Sequence, residues 1–330
     1  MTVRFGIIGS NFITESFVDA ARNAEQVEVT AIFSRSAEKA KQYADKHGIA
    51  NTFTDLQEMA KSNLIDAIYI ASPNSLHAEY AITFMNAGKH VLCEKPIASN
   101  AKELSSMIEA AKSNGVLLME AMKSTLVPNF EAIQQNLHKL GKVRNYFASF
   151  CQYSSRYDAY KQGEVMNAFL PELSNGSLMD IGTYCIYPLV VLFGKPDRVQ
   201  ASAVMLESGV DGKGSLVLSY GDMEATLLHS KISGSNLPAE IQGEDGNMII
   251  ERISQPASVR IQYRDGREEE DLSRPQASNT MVYEIQAFAD MVRRGVLESP
   301  VNSFANSMAV MEIMDEARRQ IGLVFPADAK

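Results

Sequence analysis

Three stretches of this 330-residue chain have residue types and spacing suited to chemistry. Glu94-Lys95-Pro96 sets an acid, a base and a residue that cannot continue a ladder directly after the apolar run Val91-Leu92-Cys93. Asp180 and Tyr184 lie four residues apart, so a helix there places a carboxylate and a phenol on one face. Val3-Arg4-Phe5-Gly6-Ile7-Ile8-Gly9 runs into Ser10-Asn11-Phe12-Ile13-Thr14 and then a helical pattern. That is the outline of a loop that holds phosphate on backbone amides. Each stretch also has a plainer reading. A charged tripeptide is commonly surface loop, an acid early in a helix offsets its dipole, and a glycine turn occurs in any α/β protein.

Elsewhere the residue types exclude more than they suggest. The five histidines, at 47, 77, 90, 138 and 229, include no pair at ligand spacing, so no metal centre is expected. Cys93, Cys151 and Cys185 each sit in an apolar run and read as buried free thiols of a reducing, cytoplasmic compartment. A net charge of −9 argues against nucleic acid or an anionic membrane as partner. No apolar segment reads as a bilayer span, and Met1-Thr2-Val3-Arg4 leads into a strand without a signal-peptide core.

The elements that must position these residues alternate. Strands are expected at 3–9, 27–33, 65–70, 91–93 and 116–119, with helices between them. Helix stops fall at Gly48 and Gly88, and capping-box spacing occurs at Thr54/Gln57 and Asn100/Glu103. Strand and helix in turn mean a parallel, doubly wound sheet over residues 1–120. In such a sheet ligands sit at the carboxyl ends of the strands, where Glu94-Lys95-Pro96 falls. The phosphate loop is degenerate. Asn11 and Thr14 hold the second and third glycine positions, and Asn tolerates left-handed backbone angles. The second strand ends in Ser34-Arg35-Ser36 with no acid until Glu38. An acid there binds the ribose hydroxyls of NAD. Arg35, Ser34, Ser36 and Lys39 instead suit a 2′-phosphate, so NADP is expected ahead of NAD.

Residues 121–330 form the second expected domain, for substrate binding and dimerisation. A helix from Pro128 leads to a strand over 143–153 and an irregular, polar segment 154–175. That segment, with Arg156, Tyr157 and Tyr160, either lines a substrate mouth or is surface loop. A helix follows from Asp180 to Phe193. Strands at 198–207, 213–220, 223–231, 238–243, 247–251, 258–263 and 267–271 then read as an antiparallel meander. Its turns are expected at Asp211-Gly212, Gly221-Asp222, Asp245-Gly246 and Asp265-Gly266. Helices at 281–294 and 304–322 close the chain, with Met308, Met311 and Met314 expected in the core. A sheet face rich in Val, Leu, Ile and Met would be a natural surface for a homodimer or a dimer of dimers.

Gly6-Ile7-Ile8-Gly9, Glu94-Lys95-Pro96 and Asn175–Tyr184, in that order and spacing, resemble the glucose–fructose oxidoreductase, inositol dehydrogenase and rhizopine-catabolism (Gfo/Idh/MocA) family. The resemblance covers nearly the whole chain. It implies an α/β protein: an N-terminal Rossmann domain followed by an α+β domain on a large open, mainly antiparallel sheet. It also implies an NAD(P)-dependent enzyme that interconverts a hydroxyl and a carbonyl on a sugar, polyol or related small alcohol. By the same resemblance Lys95, Asp180 and Tyr184 are the catalytic residues, often with a cis bond between the lysine and the proline. Tyrosine at 184 resembles the branch containing dimeric dihydrodiol dehydrogenase, which leans to NADP. The implied cofactor contacts are Gly9, Ser10, Asn11, Phe12, Ile13, Ser34, Arg35, Lys39, Ala71, Ser72, Pro73, Asn74, His77, Glu94, Lys95 and Met122. Two departures are Asn175, where a glycine is usual, and Glu120–Pro128, which lacks the Trp and Arg common in that branch. On chemical grounds Tyr184 is the expected acid/base, helped toward its phenolate form by Lys95, with Asp180 holding Lys95 or the substrate hydroxyls. The other candidates are Lys95 as the proton carrier and a nucleotide sensor without turnover.

Overall fold

The computed structural model describes residues 1–329. The chain divides into two compact units: Met1–Lys123 with Ala277–Phe304, and Ser124–Gln276 with the residues from Ala305 onward. The first boundary lies close to the expected residue 120, but Ala277–Phe304 returns to the first unit instead of the second. Its helix, Met281–Arg294 (α9 in chain order), buries Ile285, Phe288, Ala289 and Val292, and the Phe288 ring lies 5.5 Å from that of Phe5. An apolar stripe at that spacing marks an amphipathic helix without saying which sheet it covers.

The first unit holds six parallel strands: β1 (Val3–Ile8), β2 (Val27–Phe33), β3 (Asn51–Phe53), β4 (Ala67–Ile70), β5 (His90–Glu94) and β6 (Leu118–Ala121). Their order is β3-β2-β1-β4-β5-β6, with helices α1 (Phe12–Ala21), α2 (Ala37–His47), α3 (Leu56–Lys61), α4 (His77–Asn86) and α5 (Ala101–Asn114). The order reverses between β1 and β4, where a doubly wound sheet opens its ligand crevice. Near-continuous apolar strands such as Ala67–Ile70 are buried on both faces, as a parallel sheet requires. One cap moves from its expected place. Asp55, not Thr54, caps α3, its side chain accepting from the Glu58 amide.

The second unit starts with α6 (Pro128–Asn136), β7 (Val143–Cys151), the short helix α7 (Tyr157–Lys161) and α8 (Thr183–Phe193). The strands β8 (Arg198–Met205), β9 (Asp211–Tyr220), β10 (Met223–Ser230), β11 (Ala239–Gly243), β12 (Gly246–Glu251), β13 (Ser258–Tyr263) and β14 (Glu270–Asp271) follow, and α10 (Phe304–Ile321) closes the chain. The eight-stranded sheet runs β14-β13-β12-β11-β7-β10-β9-β8. It is not a simple meander, because β7 inserts between β10 and β11 and pairs in parallel with β10. The expected turn at Asp211-Gly212 is also displaced. Both residues belong to β9, and the chain reverses just before them, where Gly209 N–H donates to the Leu206 carbonyl.

Alternation sends the large apolar side chains of this sheet to one covered face. Tyr146, Leu216, Leu218, Leu227, Ile241 and Ile250 are all at or below 1% exposure. The open face is more polar than expected, since most of the Val, Leu, Ile and Met of the pattern point inward. One of its cross-strand rows reads Gln200, Val217, Thr226, Phe147, Glu240, Ile249, Arg260. Met311 and Met314 are buried as expected, while Met308 is half-buried. Pro171–Phe193 does have the length and composition of a membrane span, contrary to the sequence expectation. Most of it is buried inside the fold, as for the core helix of a globular unit.

Candidate active site

In the first unit, Gly9 closes β1 with φ +117, and a Cβ there would lie 2.7 Å from the Ala71 carbonyl oxygen and 2.9 Å from Thr14 Oγ1. Only glycine lets the backbone turn so tightly against the end of β4. Asn11, at the second glycine position, is not left-handed: its φ is −93 and it caps α1. Its Oδ1 accepts from the Thr14 amide at 3.1 Å while its Nδ2 donates to the Ala71 carbonyl at 3.2 Å. The cap leaves the first-turn amides of Phe12 and Ile13 beyond the intrahelical ladder, as an anion-binding helix start requires.

At the tip of β2, Ser36 caps α2 by accepting from the Lys39 amide, and its own amide donates to Ser34 Oγ at 3.3 Å. Arg35 and Lys39 are exposed, and the nearest acid, Glu38, is engaged along the helix by Gln42 at 3.2 Å. The β2 tip is therefore cationic, with hydroxyl donors on either side of Arg35.

The loop after β4 carries Ala71, Ser72, Pro73 and Asn74 into a short 3₁₀ turn and then α4. His77, expected to touch the cofactor, is 1% exposed and ties two loops together. Its Nε2 faces the Ser72 carbonyl at 3.0 Å and its Nδ1 the Pro96 carbonyl at 2.9 Å. Burial, with Lys95 nearby, pushes the ring down to about 4, so at neutral pH it is uncharged. The bond before Pro96 is cis.

Lys95 is half-buried, whereas Glu94 is buried at 8% exposure and accepts from the Tyr69 hydroxyl at 2.6 Å. Tyr69 is itself stacked on Phe17 at 3.8 Å. Burial raises the Glu94 carboxyl, against the opposing pull of Lys95. Met122, also expected at the cofactor, is fully buried, and Glu94 keeps 8% exposure. Glu284, on α9, was not anticipated. It is fully buried with neither carboxyl oxygen hydrogen-bonded, and burial beside Glu94 holds it well above the ordinary carboxylate range.

In the second unit, Asp180 lies in a π-helical turn, Leu178–Gly182, that precedes α8. The expected single helix from Asp180 thus begins with a wider turn, a form frequent at functional sites. Asp180 and Tyr184 are both half-exposed, and the Tyr184 ring packs edge-on against Phe150 at 5.6 Å. The turn is anchored by groups the sequence did not single out. Asp211, fully buried, accepts from the Leu178 amide at 2.7 Å, and Gly176 (φ +135) is the residue that lets the chain pass its carboxylate. His229 Nδ1 meets Ser177 Oγ at 2.9 Å and lies 3.6 Å from Asp211. That last contact is not an ion pair at neutral pH, because burial pushes His229 down to about 3 and Asp211 up to about 7. Lys231, 5% exposed, makes an ion pair with Asp180. The segment expected to be irregular contains the cluster Tyr157, Tyr160 and Phe169, with Tyr160–Phe169 at 5.2 Å. Asn175 holds it by donating to the Asn167 carbonyl at 2.9 Å.

Comparison with known proteins gives this geometry its context. Residues 3–122 match the model of an oxidoreductase family with an NAD-binding Rossmann fold, and residues 132–249 match the GFO/IDH/MocA C-terminal domain. The chain is 57% identical to scyllo-inositol 2-dehydrogenase (NADP(+)) IolU of Bacillus subtilis, covering 99% of each. It is 33% identical to trans-1,2-dihydrobenzene-1,2-diol dehydrogenase of Xenopus tropicalis, over 99% of this chain and 100% of that one. Among solved structures it is similar to KijD10, a 3-ketoreductase from Actinomadura kijaniata in complex with NADP and TDP-benzene. There the TM-score is 0.83 at 25% identity, over 97% of this chain and 98% of that one. With a glycine turn at the crevice of a parallel sheet, Glu94-Lys95-Pro96 at a strand tip, and two family models spanning most of its length, the chain belongs to the GFO/IDH/MocA oxidoreductase family and carries its NAD-binding Rossmann fold.

Proposed function

We propose that this oxidoreductase is an NADP-dependent dehydrogenase of a cyclic polyol of the scyllo-inositol type, interconverting a ring CH–OH and the corresponding ketone. The observation that carries the reading is the 57% identity to a scyllo-inositol 2-dehydrogenase (NADP(+)) over 99% of both chains. The cationic tip of β2 supports it, because Arg35, Lys39 and the flanking serines suit a 2′-phosphate. The tight glycine turn at Gly9, together with the capped start of α1, suits the pyrophosphate. Ser10, Phe12 and Ile13 contribute backbone there, and Ala71, Ser72, Pro73 and Asn74 form the neighbouring wall.

When bound, the nicotinamide takes a hydride from the carbinol carbon in oxidation and returns it in reduction. The protein then has one proton to move and an oxygen to hold. Tyr184 is assigned to the proton, accepting it from the hydroxyl in oxidation and giving it back to the carbonyl oxygen in reduction. Lys95 is assigned to the oxygen, where an ammonium favours developing negative charge. Asp180 is assigned to a neighbouring substrate hydroxyl, whose proton its carboxylate can accept in a hydrogen bond. A sensor without turnover has no support in the relatives described, which are dehydrogenases and a reductase. One observation favours a second substrate. Tyr157 and Tyr160, half-buried and packed on the buried Phe169, offer flat apolar surface to a dihydrodiol, the class named for the 33% relative.

The test is oxidation of scyllo-inositol and of a trans-dihydrobenzenediol with NADP⁺ and NAD⁺, read by absorbance of the reduced nicotinamide. The expected result is turnover with scyllo-inositol and NADP⁺. Tyr184→Phe should lower it by about two to four orders of magnitude while leaving NADPH binding intact. Turnover of the diol alone would replace the substrate, and an unimpaired Tyr184→Phe would remove the tyrosine from its role. We place a second copy of the chain on the open face of the eight-stranded sheet, where Val217, Phe147 and Ile249 interrupt polar neighbours. Light scattering that gives a monomer at micromolar concentration would rule this out.

A further inference from the structure

We infer that Lys231 is a positioning residue for the polyol reaction proposed above, fixing the Asp180 carboxylate and the aromatic segment around Phe169 as one unit. The inference rests on that reading of the function and adds a residue to it. Two alternate residues at the end of β10 carry the argument. His229 is the penultimate residue of β10, and Lys231 follows directly after the strand's last residue, Ser230. Both reach the turn that bears the assigned side chains: His229 meets Ser177, and Lys231 meets Asp180. The ladder continues through Lys231, whose amide donates to the Gly212 carbonyl at 2.8 Å. Its own carbonyl accepts from the Ser154 amide at 2.8 Å, where the aromatic segment begins. Its ammonium also lies 5.7 Å from the centre of the Phe169 ring, within cation–π range.

Exposure assigns the roles within the pair. The Lys231 side chain is 6% exposed, against 36% for Asp180, so the carboxylate faces outward and the ammonium stands behind it. Lys231 therefore acts through Asp180 and not by touching the substrate. A buried lysine kept charged needs such a partner, and breaking the pair leaves an uncompensated charge. The rest of the setting is fixed as well. Asp211 and His229 hold Leu178 and Ser177, so the turn is anchored at its start independently of Lys231. Removing the lysine takes the ammonium away from the carboxylate and from the Phe169 ring, while the start of the turn keeps its own anchors.

The experiment is a double-mutant cycle on scyllo-inositol oxidation with NADP⁺: wild type, Lys231→Met, Asp180→Asn and the double variant, each with an NADPH titration. Lys231→Met should lower kcat/KM for the polyol by about 30-fold or more, yet by less than about threefold when Asp180 is already Asn, with NADPH affinity unchanged. A loss of equal size in both backgrounds, or less than about threefold in the wild-type background, overturns the assignment. If Lys231→Met does not yield folded protein, Lys231→Arg replaces it in the cycle. That variant should retain part of the activity, and its loss should likewise vanish in the Asp180→Asn background. Wild-type protein that turns over no polyol defeats the functional reading before any variant is made, and the inference with it.

Discussion

His77 ties the loop after β4 to the loop after β5, and its titration should be visible as acid lability. The ring is fully buried, and both nitrogens face carbonyl oxygens, of Ser72 at 3.0 Å and Pro96 at 2.9 Å. Loss of hydration pushes it down, the two carbonyls pull it partly back and Lys95 adds repulsion, for a net value of about 4. In the unfolded chain the same ring titrates near 6.5. Between those pH values the unfolded state binds a proton that the folded state excludes, so stability present above pH 6.5 is lost as pH falls toward 4. From pH 7 to pH 4.5 the difference amounts to about 2.5 kcal/mol. His77→Gln keeps one amide donor for a carbonyl and cannot titrate. Urea unfolding at the two pH values, followed by far-UV dichroism and by tyrosine emission in this Trp-free chain, gives the comparison. Wild type should lose about 2.5 kcal/mol more than His77→Gln over this interval. Equal losses, within about 0.5 kcal/mol, would mean that His77 is not held neutral by its surroundings and that the argument from burial is wrong.

Two further outcomes follow from the first unit. Arg35→Ala should raise the KM for NADP⁺ by about 10- to 100-fold, the value of a charge-assisted bond to phosphate, and change that for NAD⁺ little. Steady-state kinetics with both cofactors checks this, and an equal change for the two would refute the 2′-phosphate assignment. Glu284, fully buried and without a hydrogen bond, is held protonated by burial and by Glu94. The folded state therefore keeps a proton that the unfolded state releases, and stability falls as pH rises above the ordinary carboxyl value. Glu284→Gln should melt about 3 °C above wild type at pH 8 and no higher than wild type at pH 5, as thermal scans would show.

What the sequence disclosed depended on whether a signal was local. The alternation of apolar runs and capped helices sufficed for the parallel sheet, because each βαβ step is built from neighbours in sequence. The cap on Asn100 was readable for the same reason. Long-range pairing was not. Nothing near Val143 says that β7 will lie beside β10, and nothing near Met281 says that α9 will cover β1. Asp211 was misread because an Asp-Gly pair usually marks a turn, whereas here its carboxylate is buried to receive the Leu178 amide. Among the implied site residues, Arg35 is exposed and Asp180 half-exposed, whereas His77, Glu94 and Met122 are buried.

Both units use one device to set reactive groups, and it explains why the supports were harder to find than the groups themselves. At the tip of β5, Glu94 turns inward to the Tyr69 hydroxyl while its neighbour Lys95 stays half-exposed. At the tip of β10, His229 and Lys231 turn together onto the turn that carries Asp180. In each case the end of a rigid strand holds the supporting residue in place. A candidate reacting side chain can be picked out from its own type and neighbours, as Lys95 in Glu94-Lys95-Pro96 was. A support is defined by what it touches across the fold, so Lys231 reads as one more surface lysine until β9 and the π-helical turn are brought beside it.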